Sequence, residues 1–329
     1  MVTFFCIIIS ALHSQETLFE FTAGKYLLGT KIDITAVSCS IDSMKKAMYF
    51  SFKEIERIQG VMSSQIDSSE ISTINRNAGI NSVKVSYETY SIIERSIAYS
   101  KKYPCFDITI GPISELWGFS SNHPVTKIPD QNVIDSLLLL VGYEKIILTP
   151  SDTSVYLSLK GMKLDVGGIA KGYAVDRAVI EMKKHGMNNF FINAGGDIYV
   201  CGTKTKNVKW SIGIKHPRKE NELFAIIELP GDGAIGTSGD YERFTIINGK
   251  RYHHIFDVKT GLPVMFSQGA TAFATTAEEA VILSKYLFIM GGNKYISEQI
   301  DLPAIIITSN GDVVYDKKLE ASHSLKLVK

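Results

Sequence analysis

The class of fold is indicated by the stretch RFTIINGKRYHHIF, which occupies residues 243–256. Alternating and β-branched residues on both sides of Asn248 and Gly249 are typical of two strands, and an Asn-Gly pair favours the tight turn of a β-hairpin. A second such pair, Asn310 and Gly311, predicts another hairpin near the end of the chain. Hairpins join antiparallel strands, so these signals argue against a doubly wound parallel sheet.

Further elements follow from the spacing of apolar residues along the rest of the chain. Helical spacing predicts helices over residues 43–62, 88–103, 134–142, 168–184 and 276–290, the first with Ser43 as its N-cap. β-Branched runs predict strands over residues 26–38, 145–148, 155–159, 190–193, 209–214 and 224–229. Because the helices occur singly between strands that pair through hairpins, the predicted class is α+β with mainly antiparallel sheets.

The composition describes an ordinary globular chain. Its 329 residues include 45% hydrophobic and 21% charged residues, which suffices to bury a sizeable core in one unit or in two closely packed lobes. The net charge of +1 provides no electrostatic attraction for nucleic acid or for an anionic membrane. Four scattered cysteines, without a CxxC pair or a nearby Cys/His cluster, argue against a zinc site and against a redox motif.

The first fifteen residues have the pattern of a secretory leader. An apolar run over residues 4–12 precedes Ser14 and Gln15 and is too short to span a bilayer, as is every later segment. This pattern predicts an extracytoplasmic location, periplasmic or membrane-associated on the outer side, for the region 16–329. The run lacks a preceding Lys or Arg, so a buried N-terminal strand is an alternative. A lipoprotein anchored at Cys6 is less favoured, because Cys6 lies inside the run.

Two aromatic residues follow a polar turn in the segment CFDITIGPISELWGF, residues 105–119. Asp107 and Thr109 could hold hydroxyl groups or backbone amides, while Trp117 and Phe119 could form the wall of a site for a planar ligand. The alternative is a capped turn beside a core tryptophan.

Two glycine pairs suggest places where the backbone approaches a ligand. In LDVGGIAKGYAVD, residues 164–176, paired glycines open a helix whose N–H groups can face an anion, and Lys171 adds a mobile positive charge. This suits the pyrophosphate of a dinucleotide, although neither the Walker nor the Rossmann spacing is present. A tight turn with a solvated lysine is the alternative. The segment NAGGD, residues 193–197, places a second pair directly after an apolar strand.

Two adjacent histidines, His253 and His254, precede Asp257 on the second strand of the predicted hairpin. Together they could be metal ligands. Adjacent residues of a strand point to opposite faces of the sheet, however, so one metal ion would not reach both. We therefore expect one histidine to be structural and the other to act at a ligand site, where a neutral imidazole can take a proton from a hydroxyl group.

Taken in order, these segments resemble the ApbE family of FAD:protein FMN transferases. The shared patterns are FDxTxGP with LWGF, LDxGGIAKGYAVD, NxGGD, TSGDY (residues 237–241) and HHIxD with TGxP, and the likeness extends from residue 28 to the last helix. The resemblance implies an α+β fold around an FAD cleft. It also implies that FMN moves from FAD to a threonine of an exported partner protein, with AMP released and Mg²⁺ as the usual metal.

The resemblance also assigns roles to individual residues. It implies that the FAD contacts are Leu28, Cys105, Phe106, Asp107, Asp165, Lys171 and Ile255. Leu28 stands where the family has a methionine that contacts the flavin. The backbone carbonyl of Gly168 would be a metal ligand, and His254 would be the base for the acceptor threonine. Lys171 and Mg²⁺ would neutralise the charge that grows on the phosphates.

The chain departs from the family at two positions of the last helix. There the family usually has an aspartate and, four residues later, a threonine that complete the metal site, whereas this chain has Val281 and Lys285. The spacing places both changes on one face of the helix, and Mg²⁺ needs oxygen ligands. Lys285 could replace the cation, or oxygens of Glu278, Glu279 or Ser284 could rebuild a metal site. Otherwise the protein binds FAD without transfer, or hydrolyses FAD with water as the acceptor.

Overall fold

The computed structural model describes residues 5–9, 17–119, 123, 125–229 and 231–328. In chain order its strands are β1 (Phe5–Ile9), β2 (Leu18–Leu27), β3 (Thr30–Ser38), β4 (Val83–Lys84), β5 (Ile146–Thr149), β6 (Ser154–Leu157), β7 (Phe190–Ala194), β8 (Asp197–Cys201), β9 (Ser211–Lys215), β10 (Leu223–Glu228), β11 (Gly233–Gly239), β12 (Phe244–Ile247), β13 (Lys250–His253), β14 (Ser267–Ala274), β15 (Ala304–Thr308), β16 (Val313–Tyr315) and β17 (Lys326–Leu327). Its α-helices are α1 (Ile41–Met62), α2 (Glu70–Arg76), α3 (Tyr87–Lys102), α4 (Gly111–Leu116), α5 (Gln131–Leu138), α6 (Gly167–Lys184), α7 (Ala277–Ser297) and α8 (Lys318–Ser322). A 3-10 helix spans Tyr143–Lys145.

A nine-stranded sheet forms the centre of the described part of the chain. Its strand order is β1-β2-β3-β7-β8-β11-β14-β15-β16, and all neighbours in it are antiparallel. Two-residue turns join β2 to β3 and β7 to β8, so the register of these pairs is set locally. The predicted α+β class with mainly antiparallel sheets is confirmed.

Both faces of this sheet are covered, which explains why β8 is buried along its whole length. On one face lie α1, α6 and α7, whose apolar side chains form the largest hydrophobic cluster together with those of β3 and β7. On the other face lies the small sheet β9-β10-β17, where Trp210, Ile212 and Ile227 pack against Val200 and Phe273. The central sheet is therefore the middle of three layers.

Glycines allow α7 to lie very close to its neighbours. A Cβ atom at Gly172 of α6 would lie 2.5 Å from the carbonyl oxygen of Ala277, at the start of α7. A Cβ atom at Gly236 of β11 would collide with the carbonyl group of Ala280 in the same helix. Neither position has room for a side chain, so these two glycines determine how closely α7 packs on α6 and on the sheet.

A smaller hydrophobic cluster links α4 and α5 to the hairpin β12-β13. At its centre Trp117 is fully buried, stacks on Tyr252 with 5.5 Å between ring centroids and donates from Nε1 to the carbonyl oxygen of Gly261 at 3.1 Å. Trp117 is therefore a core residue and not the wall of a ligand site, whereas Phe119 of the same segment does line a cleft.

Most predicted elements are present, with shifted ends. Both Asn-Gly hairpins form, as β12-β13 and β15-β16. The single strand predicted over residues 26–38 is wrong, because Leu28 and Gly29 adopt positive φ angles and form the turn between β2 and β3. The predicted N-cap of α1 is also wrong. Ser40 caps the helix, and its side chain accepts a hydrogen bond from the N–H group of Ser43.

The predicted leader lies mainly outside the described residues. Residues 1–4 and 10–16 are not described, whereas Phe5–Ile9 forms β1 at an edge of the central sheet. A leader over residues 1–15 and an extracytoplasmic location therefore stay predictions, as does the division of the chain at residue 16. Within the ranges that the structure covers, no helix combines the length and the apolarity needed to cross a membrane.

Candidate active site

A cleft of about 510 Å³ opens between the β2–β3 turn, the first turns of α6 and the middle of α7. The residues to which the family resemblance assigns a role as FAD contact, metal ligand or base all line this cleft: Leu28, Cys105, Phe106, Asp107, Asp165, Gly168, Lys171, His254 and Ile255. The fold thus gathers residues that are more than two hundred positions apart. Lys285 also lines the cleft, whereas Val281 does not and has no exposed surface.

The first turn of α6 presents the positively polarised end of a helix to the cleft. Asp165 orders this turn, because its Oδ1 accepts a hydrogen bond from the N–H group of Gly167 at 2.9 Å. A Cβ atom at Gly168 would lie 3.0 Å from Cε2 of Phe106 and 3.5 Å from Cε of Lys285. Glycine at this position therefore lets an aromatic ring and a lysine stem reach the same helix end.

One ion pair joins α6 to the glycine turn of the segment NAGGD. Nζ of Lys171 lies 2.6 Å from Oδ2 of Asp197, whose side chain is only 2% exposed. Gly195 and Gly196 both have positive φ angles, and a Cβ atom at Gly195 would collide with the side chain of Thr30. These glycines permit the tight turn that places the carboxylate under Lys171.

Asp107 and Cys105 form part of the cleft wall, and burial raises the pKa of both groups. Oδ1 of Asp107 accepts hydrogen bonds from the N–H and hydroxyl groups of Thr109, and Oδ2 accepts one from the N–H group of Tyr143. Asp107 therefore acts first as an anchor for its own loop. Burial raises the pKa of the Cys105 thiol to about 11, so this group is protonated at neutral pH and offers the ligand a weakly polar contact.

His253 is the structural histidine of the pair. Its side chain is 1% exposed, its Nδ1 accepts a hydrogen bond from the N–H group of Ile255 at 3.2 Å, and its Nε2 lies 2.6 Å from the carbonyl oxygen of Val264. Because Nδ1 accepts, Nε2 must carry the proton and donate. Burial lowers the pKa of His253, and the ring links the backbone of Ile255 to that of Val264.

His254, which directly follows β13, lines the cleft. Its Nδ1 lies 3.3 Å from the carbonyl oxygen of Arg243, and donation to that oxygen leaves a free lone pair on Nε2. Burial lowers the pKa of His254 well below its usual value, and the positive charges of Arg243 and Lys285 act in the same direction. The imidazole is therefore neutral and able to accept a proton at physiological pH.

Lys285 is a partly buried cation beside the start of α6. Among the described residues, no carboxylate oxygen lies within 4.0 Å of its Nζ. Burial lowers the pKa of Lys285 to about 8; Lys171 and Arg243 lower it as well, while the charges of Asp197 and Asp165 raise it. The ammonium group is thus mostly charged at neutral pH, although the protein gives it little stabilisation.

Magnesium does not fit beside these residues. Mg²⁺ takes oxygen ligands in nearly octahedral geometry, and the side chain of Val281 offers none. At about 4 Å, with an effective dielectric constant of about 20, a divalent ion and the ammonium group of Lys285 repel each other by about 8 kcal/mol. Over the described ranges, no group of three or more His, Cys, Asp or Glu side chains could hold a metal ion. The carbonyl group of Gly168 therefore lacks the partners that a metal site needs.

The residues that might have rebuilt a metal site are engaged elsewhere. Both oxygens of Glu278 accept hydrogen bonds from Arg95, each at 2.9 Å, and neither Glu278 nor Glu279 lines the cleft. Ser284 is fully buried, and its Oγ lies 2.9 Å from Oγ of Ser238 and donates to the carbonyl oxygen of Val281. The interpretation that these oxygens restore a metal site is therefore wrong.

Arg243 is a cleft residue that sequence reasoning missed. It lines the cleft, and a Cβ atom at Gly29 would lie 3.2 Å from one of its Nη atoms. The Asn-Gly motif predicts the two strands of the hairpin, but it assigns no ligand contact to the arginine that precedes the first strand. Arg243 lies two residues after the segment TSGDY, and this position could have marked it as a candidate cleft residue.

Comparison with known proteins identifies the family. The sequence model of the ApbE family matches residues 28–306. The chain belongs to the ApbE family. The FAD:protein FMN transferase of Klebsiella pneumoniae (strain 342) is 31% identical to it over 271 residues, which are 80% of this chain and 82% of the relative. The FAD:protein FMN transferase of Treponema pallidum (strain Nichols) is 26% identical over 322 residues, which are 92% of this chain and 87% of the relative.

Solved structures of ApbE proteins share the fold. The ApbE protein of Thermotoga maritima has a TM-score of 0.85 to this chain at 31% identity, and the match covers 92% of this chain and 99% of that one. The flavin transferase ApbE of Vibrio cholerae has a TM-score of 0.80 at 25% identity, with the same coverage. The ApbE membership inferred from ordered motifs is confirmed, and so is the mixed fold of helices and antiparallel sheet.

Proposed function

We propose that the protein transfers FMN from FAD to a threonine hydroxyl group of a partner protein and releases AMP. The observation that carries the proposal is the meeting of a cation cluster and a neutral histidine in one cleft. Lys171, Arg243 and Lys285 line the cleft together with His254. The relatives from Klebsiella pneumoniae and Treponema pallidum, both FAD:protein FMN transferases, support the same activity.

The proposed reaction exchanges a phosphoanhydride bond for a phosphoester bond. The acceptor oxygen forms a bond to the phosphorus of the FMN half of FAD, and the bond from that phosphorus to the bridging oxygen breaks, so that AMP leaves with the electron pair. His254 takes the proton of the acceptor hydroxyl group. The cations stabilise the negative charge on the phosphoryl group and on the leaving oxygen. Leu28, Phe106 and Ile255 supply apolar contacts for the flavin.

The proposed acceptor is an exported protein. The leader pattern of residues 1–15 predicts export of this chain, and an enzyme must share a compartment with the protein that it modifies. We therefore propose that both act outside the cytoplasm, in the periplasm or at the outer side of a membrane.

The test is an incubation of the purified protein with FAD and an acceptor domain that bears a threonine. We expect AMP release, measured by chromatography, to equal the flavin attached to the acceptor, measured by fluorescence after denaturation. His254→Ala should abolish both signals. His123→Ala changes an exposed histidine and should alter neither. If FAD stays bound while neither AMP nor labelled acceptor forms, the proposal is wrong.

A second candidate function is FAD binding without turnover. The misfit of Mg²⁺ beside Val281 and Lys285 favours it, because the cleft can still hold FAD when transfer is lost. A third outcome, AMP release in the absence of any acceptor, would identify an FAD pyrophosphatase that uses water. The same incubation, run with and without the acceptor domain, separates the three functions.

A further inference from the structure

Lys285 is a cation without a counter-ion at the helix end that faces the cleft. Its stem packs against Gly168 at the start of α6, and within the described ranges no carboxylate oxygen lies within 4.0 Å of its Nζ. Lys171, by contrast, is paired with Asp197 at 2.6 Å. An ammonium group that is partly removed from water and left unpaired is unfavourable until an anion binds beside it.

The carboxylates near the cleft offset this charge only in part, since Asp197 and Asp165 raise the pKa of Lys285 whereas burial lowers it to about 8. Asp107 and Asp165 line the cleft, but both already accept hydrogen bonds from backbone N–H groups. Glu242 also lines the cleft and is exposed to solvent. Arg243 is a second lining cation that forms no ion pair with the residues that the structure describes. Lys285 and Arg243 are therefore two cleft cations that form no ion pair with the residues that the structure describes.

Lys285 and Arg243 line the same cleft, and their two positive charges match the two negative charges of the FAD pyrophosphate. We propose that Lys285, together with Arg243, holds this pyrophosphate in place of a divalent metal ion, so that the protein binds FAD and releases AMP without metal. The part about AMP release rests on the proposed function, whereas the part about binding does not. A lysine can serve in this way because its ammonium group is a compact positive charge that donates charge-assisted hydrogen bonds to phosphate oxygens.

The first experiment measures binding. FAD and riboflavin, which lacks phosphates, are titrated into metal-free protein in EDTA and into the same protein with added Mg²⁺. We expect the dissociation constant for FAD to be the same in both buffers. Lys285→Met should weaken FAD binding by about 30-fold or more and leave riboflavin binding unchanged. An equal loss of both ligands would indicate a disturbed fold and would overturn the proposal.

Matched variants separate the charge of Lys285 from its bulk. Lys285→Arg keeps a positive charge and should retain most of the affinity for FAD. Lys294→Met removes an exposed lysine of the same helix and should have no effect on either ligand. If Lys285→Met binds FAD as tightly as the wild type, or if EDTA abolishes FAD binding by the wild type and Mg²⁺ restores it, the proposal is wrong.

The second experiment measures AMP release in EDTA with the acceptor domain present. AMP release at the same rate in EDTA and in Mg²⁺ supports the whole proposal. AMP release only in Mg²⁺ overturns metal independence and leaves the proposed function intact. FAD binding that needs Lys285 but not Mg²⁺, without AMP release in either buffer, refutes the proposed function and keeps the binding role of Lys285.

Discussion

Lys171→Met tests how the cleft holds its buried carboxylate, because this change removes the counter-ion of Asp197 and keeps the length of the side chain. The two partners differ in burial: the side chain of Asp197 is 2% exposed and that of Lys171 is 26% exposed. Without its partner, the carboxylate would stay buried and unpaired, whereas the lysine could extend into solvent. The two single deletions should therefore have unequal costs.

The magnitude follows from that asymmetry. Breaking a buried ion pair by removing one partner costs about 3–5 kcal/mol. Lys285 lies near enough to Asp197 for their charges to interact, so we expect Lys171→Met to lower the free energy of unfolding by about 3 kcal/mol, the lower end of that range. Asp197→Asn leaves a partly exposed lysine and should cost about 1 kcal/mol. The double variant should regain about 2 kcal/mol over Lys171→Met, since no buried charge is left unpaired.

The assay is urea denaturation of FAD-free protein at neutral pH, followed by circular dichroism, for the wild type, both single variants and the double variant. FAD titration of the double variant tests whether its cleft is folded, because a folded cleft without Lys171 should still bind FAD, although weakly. The reasoning fails if Asp197→Asn is as destabilising as Lys171→Met. It also fails if the double variant is no more stable than Lys171→Met, since Asp197 would then not depend on Lys171.

Three further predictions concern packing, the histidine pair and pH. Gly172→Ala should lower the melting temperature, because its Cβ atom would lie 2.5 Å from a carbonyl oxygen of α7. Gly60→Ala, in the exposed part of α1 where nothing lies within 4 Å of the added Cβ atom, should raise the melting temperature. Equal shifts in the two variants would contradict the close packing of α7. His254→Ala should reduce the rate of FMN transfer by about 10²–10⁴-fold and leave the affinity for FAD unchanged. His253→Ala should instead reduce the free energy of unfolding by about 2 kcal/mol, measured by thermal unfolding. The reverse pattern would show that His253 is the base and His254 the structural residue. Burial raises the pKa of Asp176 from its ordinary value of 3.8 to about 6, so its contribution to stability is complete below pH 4 and is lost as the pH rises through about 6. Asp176→Asn should therefore gain in melting temperature relative to the wild type between pH 5 and pH 7.5, and a constant difference would refute the raised pKa.

The sequence predicts those parts of the fold whose causes are local. An Asn-Gly pair favours the positive φ angles of a tight turn, which Asn248, Gly249 and Gly311 adopt, so both hairpins could be predicted. The different surroundings of His253 and His254 could be predicted because adjacent residues of an extended segment point to opposite sides. Gly168 could likewise be placed at a helix start, because a glycine pair before a helical pattern has few other uses.

The missed strands have causes that are distant in sequence. β11 and β14 are rich in glycine and alanine, which are depleted in strands. They form strands because α7 packs directly on them, and Gly236 leaves room for the backbone of that helix. Because Gly236 contacts Ala280, more than forty positions later in the chain, the residues next to Gly236 in the sequence do not indicate why a glycine is needed there. Arg243 was missed for the same reason, since only the closed fold brings it beside the β2–β3 turn.

Val281 and Lys285 have to be interpreted together, and the structure shows why. An aspartate at position 281 would replace a side chain with no exposed surface, and its carboxylate would need a partner, because an unpaired buried charge costs about 3–5 kcal/mol. With Lys285 present, that carboxylate would pair with the ammonium group instead of binding a metal ion. A threonine at position 285 alone would leave the pyrophosphate with neither lysine nor metal. Each single reversal is therefore worse than either complete set, and only Val281→Asp combined with Lys285→Thr can convert the cleft to one that needs Mg²⁺. FAD binding of wild-type strength in Lys285→Thr alone would contradict this coupling.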